Sequence, residues 1–400
     1  MTFDEFELDP RCLKGLRKME IVTPSPVQAA AIPVALEGKD LVAVAQTGTG
    51  KTLGFVLPSL TRLAKDGKPK SNQMLVLVPT RELCLQVHEV VHEIGEPMGI
   101  SSLTVYGGVS INDQADKLDR GKNVVVATPG RLLDHLRRGN LHFDNLTILV
   151  LDEADRMLDM GFLPDIIRIL EQLPEDRQTL MFSATFPDAI ARLTGRMMHD
   201  PERINVGSVA KPVDTVRQML YPVSQQDKAR LLLRLIEEEE PGPTLIFLRT
   251  KVATESLANA LTKKGHKVAQ LHGDRSQIQR TKALDGFREG KYDILVATDV
   301  AARGLDIEGV THVFNYDIPL NPEDYLHRIG RTARAQREGD AITFVTPAEW
   351  QALSQIEKTL GKHIPRAEYD GAPRVLSTFK PSAAAAKSRG ATRRIGRRRM

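Results

Sequence analysis

Leu41-Val42-Ala43-Val44-Ala45-Gln46-Thr47-Gly48-Thr49-Gly50-Lys51-Thr52 runs from an apolar, strand-like segment into a glycine-rich turn that ends Gly-Lys-Thr. The strand before it and the helical pattern after it give the turn the setting that a phosphate-binding loop needs. Backbone N–H groups of Gln46, Thr47, Gly48, Thr49 and Gly50 can curl around nucleotide phosphates at a helix N-terminus. Lys51 adds a point charge, and the Thr52 hydroxyl can ligate Mg²⁺. Ala45 stands where the general pattern has Gly. The blander reading, a glycine-rich loop without a ligand, has the strand context and the Gly-Lys-Thr ending against it.

Farther along, Ile148-Leu149-Val150-Leu151 delivers Asp152-Glu153-Ala154-Asp155 at a strand end. A buried strand ending in acids is costly unless something cationic meets them. Asp152 is placed to hold Mg²⁺ through water, and Glu153 to orient and deprotonate an attacking water. An acidic turn with no role is the alternative for that stretch taken alone.

Outward from these two stretches, short Val/Ile/Leu runs recur at 74–78, 123–127 and 179–182, with helix-period segments between them. Such alternation predicts a parallel sheet covered on both faces, hence a doubly wound α/β domain over residues 1–205. Residues 206–215, Pro/Gly/Val-rich, read as a linker. The same rhythm resumes at 244–248, 267–271, 293–297, 311–315 and 341–345, giving a second α/β domain over 216–370. An internal echo points to duplication. Pro79-Thr80 is followed 48 residues later by Ala127-Thr128, and Arg249-Thr250 by Ala297-Thr298 at the same interval. The fold class expected is therefore α/β, two tandem doubly wound parallel-sheet domains.

Composition agrees. At 400 residues with 41% hydrophobic and 26% charged, collagen-like and wholly disordered readings fall away. Two cysteines, Cys12 and Cys84, exclude a disulfide framework and read as small hydrophobes in a reducing compartment. The acidic start at Met1-Thr2-Phe3-Asp4-Glu5 is unlike a secretory signal, and no apolar run approaches the roughly 18 residues of a membrane span, so a cytoplasmic location is expected. Net charge is +4 overall, and nine Lys or Arg with no acid lie in residues 371–400. The remainder is therefore +4 − 9 = −5. Those last residues read as a disordered basic tail, either a sequence-independent anchor for nucleic acid or a mere solubility extension. Glu237-Glu238-Glu239-Glu240 reads as a solvated helix end.

Together the motifs resemble those of DEAD-box ATP-dependent RNA helicases, and the absence of recognisable additions beyond the tail is most similar to the RhlE-type subgroup. The likeness spans Phe3 to about Val345. It implies that Pro24-Ser25-Pro26-Val27-Gln28 is the adenine-reading motif, with Phe3 as its upstream aromatic; an amide suits adenine's N6 and N7, so Gln28 implies ATP over GTP. Read without the likeness, Gln28 is a polar residue at a helix start. Glu20 and Ile21 occupy the positions where the family has Gly and an aromatic, which implies weaker base stacking.

In His327-Arg328-Ile329-Gly330-Arg331-Thr332-Ala333-Arg334 the likeness makes Arg331 and Arg334 arginine fingers for the γ-phosphate, with His327 beside them. A planar guanidinium suits the charge of a transferring phosphoryl group. A solvated basic helix face is the reading without the likeness. Ala333 replaces the usual Gly, and Gln336 follows where Gly is frequent. Asp306 is implied to hold the ribose. Asp155, Ser183, Thr185, Asp299, Arg303 and Arg328 are implied to couple the sites, though Ser183-Ala184-Thr185 alone would read as a turn or cap.

RNA contacts are implied at Pro79, Thr80, Arg81, Gly107, Gly108, Thr128, Pro129, Gly130, Arg131, Arg249, Thr250, Gly273, Gln277, Arg280 and Thr298. Glycine amides and helix starts suit phosphate oxygens, which implies selectivity for RNA without sequence selectivity. Each of these taken singly is an ordinary turn residue. The cofactors expected are ATP and Mg²⁺, and the partner is RNA. A monomeric core is expected with oligomerisation open, and ribosomal-precursor and mRNA-decay proteins are both settings the family occupies. An ATP-dependent RNA clamp that remodels without unwinding is the rival reading.

Overall fold

The computed structural model describes residues 1–45, 48–65, 69–206, 216–239, 241–302, 309–332 and 339–368. The chain divides into two compact units, Met1–Ser208 and Val209–Met400. Unit 1 holds a seven-stranded sheet built from β1 (Leu41–Ala45), β2 (Met74–Leu77), β3 (Ser102–Val105), β4 (Val124–Ala127), β5 (Ile148–Leu151), β6 (Gln178–Ser183) and β7 (Glu202–Val206). All pairings are parallel, in the order β3-β4-β2-β5-β6-β1-β7. The central β2, β4 and β5 are buried along their whole length, which is why they read as unbroken apolar runs. Alternate residues enter two cores. Val76, Val126, Val150 and Phe182 pack one face, with the Phe182 ring 5.3 Å from Phe55, while Leu77, Val125, Leu149 and Met181 pack the other.

Unit 2 holds β8 (Val216–Pro222), β9 (Thr244–Leu248), β10 (Val268–Leu271), β11 (Ile294–Thr298), β12 (His312–Asn315) and β13 (Gly339–Val345). Its sheet is also all parallel, in the order β10-β11-β9-β12-β13-β8. Matching β8 to β1, β9 to β2 and so on to β13 with β6, this is the order of unit 1 without β7. The echoed threonines lie at or just past strand ends: Thr80, Thr128 and Thr250 are N-caps of the helices that follow β2, β4 and β9, and Thr298 closes β11.

Three strands were not foreseen: β3, β7 and β8. All lie at sheet margins. A strand paired on one side only can interleave Ser102 and Thr104, Glu202 and Arg203, or Arg217 and Gln218 among its apolar residues, and the short apolar run then disappears from the sequence. Val206, the first residue of the expected linker, belongs to β7. Residues 207–215 and the basic tail lie outside the described residues. Among the described residues no helix is long and apolar enough to cross a membrane. Both cysteines are buried free thiols, and burial pushes Cys12 up to about 11.

Candidate nucleotide and nucleic-acid site

Parallel strands present all their carboxyl ends on one edge, and strand order decides which loops become neighbours. In unit 1 that edge is divided. The phosphate loop follows β1, Ser183-Ala184-Thr185 follows β6, and Asp152-Glu153-Ala154-Asp155 follows β5, three adjacent strands. Pro79-Thr80-Arg81 follows β2, Thr128-Pro129-Gly130-Arg131 follows β4, and Gly107-Gly108 follows β3, the next three.

In the first group, Gly48 and Gly50 both hold φ +81°, a left-handed backbone that leaves the loop to glycine. Lys51 opens the helix Lys51–Lys65, is buried, and donates from Nζ to the Ala45 carbonyl at 3.0 Å. Gln46 and Thr47 lie outside the described residues. Gln28 uses both ends of its amide: Oε1 accepts from Ser25 N at 2.8 Å, closing a capping box on the helix Pro26–Leu36, and Nε2 donates to the Gly50 carbonyl at 2.9 Å. It is both a helix-start residue and a tie to the phosphate loop. Phe3 is buried, its ring edge-on to Phe6 at 6.3 Å.

Asp152 is 2% exposed. Burial pushes its carboxyl up to about 7; the Lys51 ammonium opposes that rise and the Glu153 carboxylate adds to it. One of its oxygens accepts from Glu153 N at 2.9 Å. Glu153 sits at φ +52°, ψ +50°, and its carboxylate pairs with buried Arg156. Asp155 is saturated. Its Oδ2 accepts from Ala184 N at 3.1 Å, Thr185 N at 2.8 Å and Thr185 Oγ1 at 2.9 Å; Oδ1 accepts from Arg156 N at 3.0 Å; and its own N–H donates to Ser183 Oγ at 3.2 Å. The acidic turn and the short hydroxyl motif are thus one hydrogen-bonded body. Among the described residues no three His, Cys, Asp or Glu side chains form a metal cage. Thr52 and Asp152 offer hard oxygens beside the phosphate loop, a donor set that fits Mg²⁺ completed by water and phosphate.

In the second group, Thr80 caps the helix Arg81–Gly95 by accepting from Leu83 N. The Arg81 guanidinium lies against Gly108 where a Cβ would stand, and Gly108 has φ +87°. Arg131 Nη1 donates to the Val109 carbonyl at 3.0 Å. Thr128 is the buried N-cap and Pro129 the first residue of the helix Pro129–Arg137, and Gly130 has no atom within 4 Å of where a Cβ would be.

Unit 2 repeats the division. Arg249 and Thr250 follow β9, Gly273 and Gln277 follow β10, and Thr298 ends β11, again three adjacent strands. Arg280 on the helix Gln277–Arg288 reaches the Ala301 carbonyl at 3.2 Å, and the space over Gly273 is open. Arg328 makes a two-pronged contact with Asp299 at 2.6 and 2.7 Å, donates to Asn315 Oδ1 at 3.1 Å and the Asp317 carbonyl at 2.6 Å, and lies 5.0 Å from the Phe247 ring. Arg331 is 5% exposed with Nε on the His327 carbonyl at 3.3 Å. Arg303, Asp306, Ala333, Arg334 and Gln336 lie outside the described residues.

Two features acquire their physical meaning only in the structure. Lys228 is fully buried, with Nζ 2.9 Å from Asp317 and 3.4 Å from Glu349, and Glu349 also pairs with Arg249 at 2.9 Å. A buried ammonium requires such partners, but they lie far apart in the chain and form no local motif. Glu20 is the second. It has φ +58°, its N–H donates to the Arg17 carbonyl, and Ile21 N–H donates to Leu16 O, which closes the helix Pro10–Lys18 in a Schellman turn. That is a glycine position by backbone geometry. Glu20→Gly is expected to raise stability by roughly 1 kcal/mol, measured as the shift in urea midpoint; an unchanged or lower midpoint would contradict the strain.

Two α/β units of matching strand order, one carrying a phosphate loop beside a buried Asp-Glu pair, define a RecA-like nucleotide-handling protein. Residues 25–193 match the DEAD/DEAH box helicase family, and residues 227–336 match the helicase conserved C-terminal domain. An ATP-dependent RNA helicase CshA of Listeria monocytogenes is 46% identical over 362 residues, 90% of this chain and 69% of that protein. A DEAD-box ATP-dependent RNA helicase CshA of Geobacillus kaustophilus is 45% identical over 365 residues, 91% and 78% of the two chains. S. cerevisiae Dbp5 solved with RNA and ADP BeF3 has 36% identity and a TM-score of 0.83, covering 92% of this chain and 95% of that one. The chain belongs to the DEAD/DEAH box helicase family. The relatives carry the name CshA, where an RhlE-type subgroup had been expected.

Proposed function

We propose that the chain is an ATP-dependent RNA helicase that couples ATP hydrolysis to local unwinding of short RNA duplexes and to RNA–protein remodelling. The observation that carries this is the divided carboxyl edge of unit 1. Phosphate loop and acid pair take three adjacent strands, amide- and guanidinium-bearing loops take the next three, and Asp155 binds the acid turn to Ser183 and Thr185. The Dbp5 relative, solved with RNA and a nucleotide, supports the same assignment.

In this reading the phosphate-loop amides, Lys51 and Thr52 hold ATP·Mg²⁺, with Asp152 as the protein carboxylate toward the metal. Bound Mg²⁺ would neutralise developing phosphate charge. Lys51 would exchange the Ala45 carbonyl for a phosphate oxygen, and Gln28 would turn from Gly50 to the adenine edge. Glu153 accepts the proton of the attacking water, while Arg331 and Arg334 meet the charge on the transferring phosphoryl group. RNA phosphates and 2′-hydroxyls engage Arg81, Gly107, Gly108, Thr128, Gly130 and Arg131 in unit 1. In unit 2 they engage Arg249, Thr250, Gly273, Gln277, Arg280 and Thr298. ATP and RNA binding are coupled in this reading, so each ligand raises the affinity for the other. The basic tail adds a salt-sensitive anchor. Subgroup placement follows the CshA-named relatives.

The test is ATP hydrolysis by the full chain without nucleic acid, with single-stranded RNA and with matched DNA, repeated with GTP, followed by strand release from a short RNA duplex. RNA-specific stimulation with ATP alone and strand release are expected. Hydrolysis indifferent to RNA would break the proposed coupling, and RNA-stimulated hydrolysis without strand release would favour the clamp. Deleting residues 371–400 is expected to weaken RNA binding mainly at low salt; equal losses at all salt concentrations would exclude the anchor.

A further inference from the structure

Gln114 lies on the helix Ile111–Leu118 between β3 and β4, only 6% exposed, and no family motif used above includes it. Both ends of its amide are committed to the RNA-side loops. Nε2 donates to the carbonyl of Tyr106, the residue before Gly107-Gly108, at 3.1 Å. Oε1 accepts from Arg131 Nη1 at 3.0 Å and from His135 Nε2 at 3.1 Å. His135 is wholly buried, and its Nδ1 faces the Asn140 side-chain amide at 3.2 Å. Accepting there fixes Nε2 as the protonated nitrogen that faces Gln114.

Only one orientation of the amide serves all three neighbours. Turned over, its NH₂ would face a guanidinium and an imidazole N–H, and its carbonyl would face the carbonyl of Tyr106. The same Arg131 nitrogen also holds the Val109 carbonyl at 3.0 Å, and Arg81 from the third loop packs against Gly108.

We infer that Gln114 is a positioning residue for RNA binding: it sets the mutual register of the Gly107-Gly108 turn and the Arg131 guanidinium so that their donors converge on one phosphate backbone. The inference rests on the RNA reading proposed above. Gln114 holds the loops from beneath and does not itself reach RNA. Without it, the Tyr106 carbonyl, a guanidinium N–H and the His135 N–H lose a buried partner together, and the cheapest relief is for the two loops to move apart toward water.

The test uses the full chain and a single-stranded oligouridylate. Gln114→Met, similar in length and apolar, is expected to raise the RNA concentration giving half-maximal ATP turnover about tenfold. The KM for ATP at saturating RNA should stay within about twofold. Gln114→Asn, which keeps the polarity and loses the reach, should shift RNA dependence the same way, and it gives the readout if the Met variant fails to fold. Combining Gln114→Met with Arg131→Gln should add little to Arg131→Gln alone, because both remove the same placement. Unchanged half-maximal RNA in the folded variants, or fully additive losses in the double variant, would overturn the inference. A wild-type ATPase indifferent to oligouridylate would instead remove the RNA reading itself, and Gln114's role with it.

Discussion

Glu153→Gln is expected to slow RNA-stimulated ATP hydrolysis by about 10²–10⁴-fold while ATP and RNA remain bound. The three acids of the turn differ in what they are free to do. Asp155 spends both carboxylate oxygens on Ala184, Thr185 and Arg156. Asp152 is buried beside Lys51 and suited to a cation. Glu153 remains, held by an Arg156 ion pair and projected by a left-handed backbone at φ +52° that a β-branched residue would not tolerate. Gln has the same length, and its amide oxygen can still accept from Arg156, so fold and ligand binding survive while the basic oxygen is lost. Steady-state turnover, nucleotide titration and RNA anisotropy on one preparation separate these effects. Turnover within about twofold of wild type would remove Glu153 as the base.

Much of this architecture was legible because the central strands are buried on both faces and each delivers its motif directly at its carboxyl end. Ile148–Leu151 followed by Asp152-Glu153 shows both properties in six residues. What the sequence could not show was of two physical kinds. Marginal strands such as Glu202–Val206 mix polar and apolar residues because one side lacks a partner strand. Long-range polar contacts leave no periodic trace: Lys228 meets Asp317 and Glu349 across 89 and 121 residues, and Gln114 looks like any polar residue on a short helix until Tyr106, Arg131 and His135 close around it. Glu20 is intermediate. Its place in the family pattern was readable, but the reason for glycine there appears only in the Schellman turn.

Asp152→Asn is expected to have two large effects of opposite sign, a loss of Mg²⁺-dependent turnover and a gain in stability of the nucleotide-free protein. Burial pushes this carboxyl from an ordinary 3.8 up to about 7. In the unfolded chain it ionises near pH 4; in the folded chain it holds its proton until about pH 7. Between those limits the unfolded state binds fewer protons, so this group makes stability fall as pH rises, and the full penalty applies above about pH 7. Asn cannot ionise, yet its amide oxygen can still accept from Glu153 N. The variant's advantage should therefore be absent near pH 4, grow through the window and level off above about pH 7, where it is expected to reach roughly 2–4 kcal/mol, or several degrees in Tm. Thermal melts of both proteins in chelator without nucleotide, from acid to mildly alkaline pH, read this directly. MgATP should then reverse the order: it stabilises the wild type through binding that the variant lacks. A variant that melts with the wild type at every pH would mean that the carboxylate is already paid for in the empty protein; one that still gains full stability from MgATP would mean that Asp152 does not hold the metal.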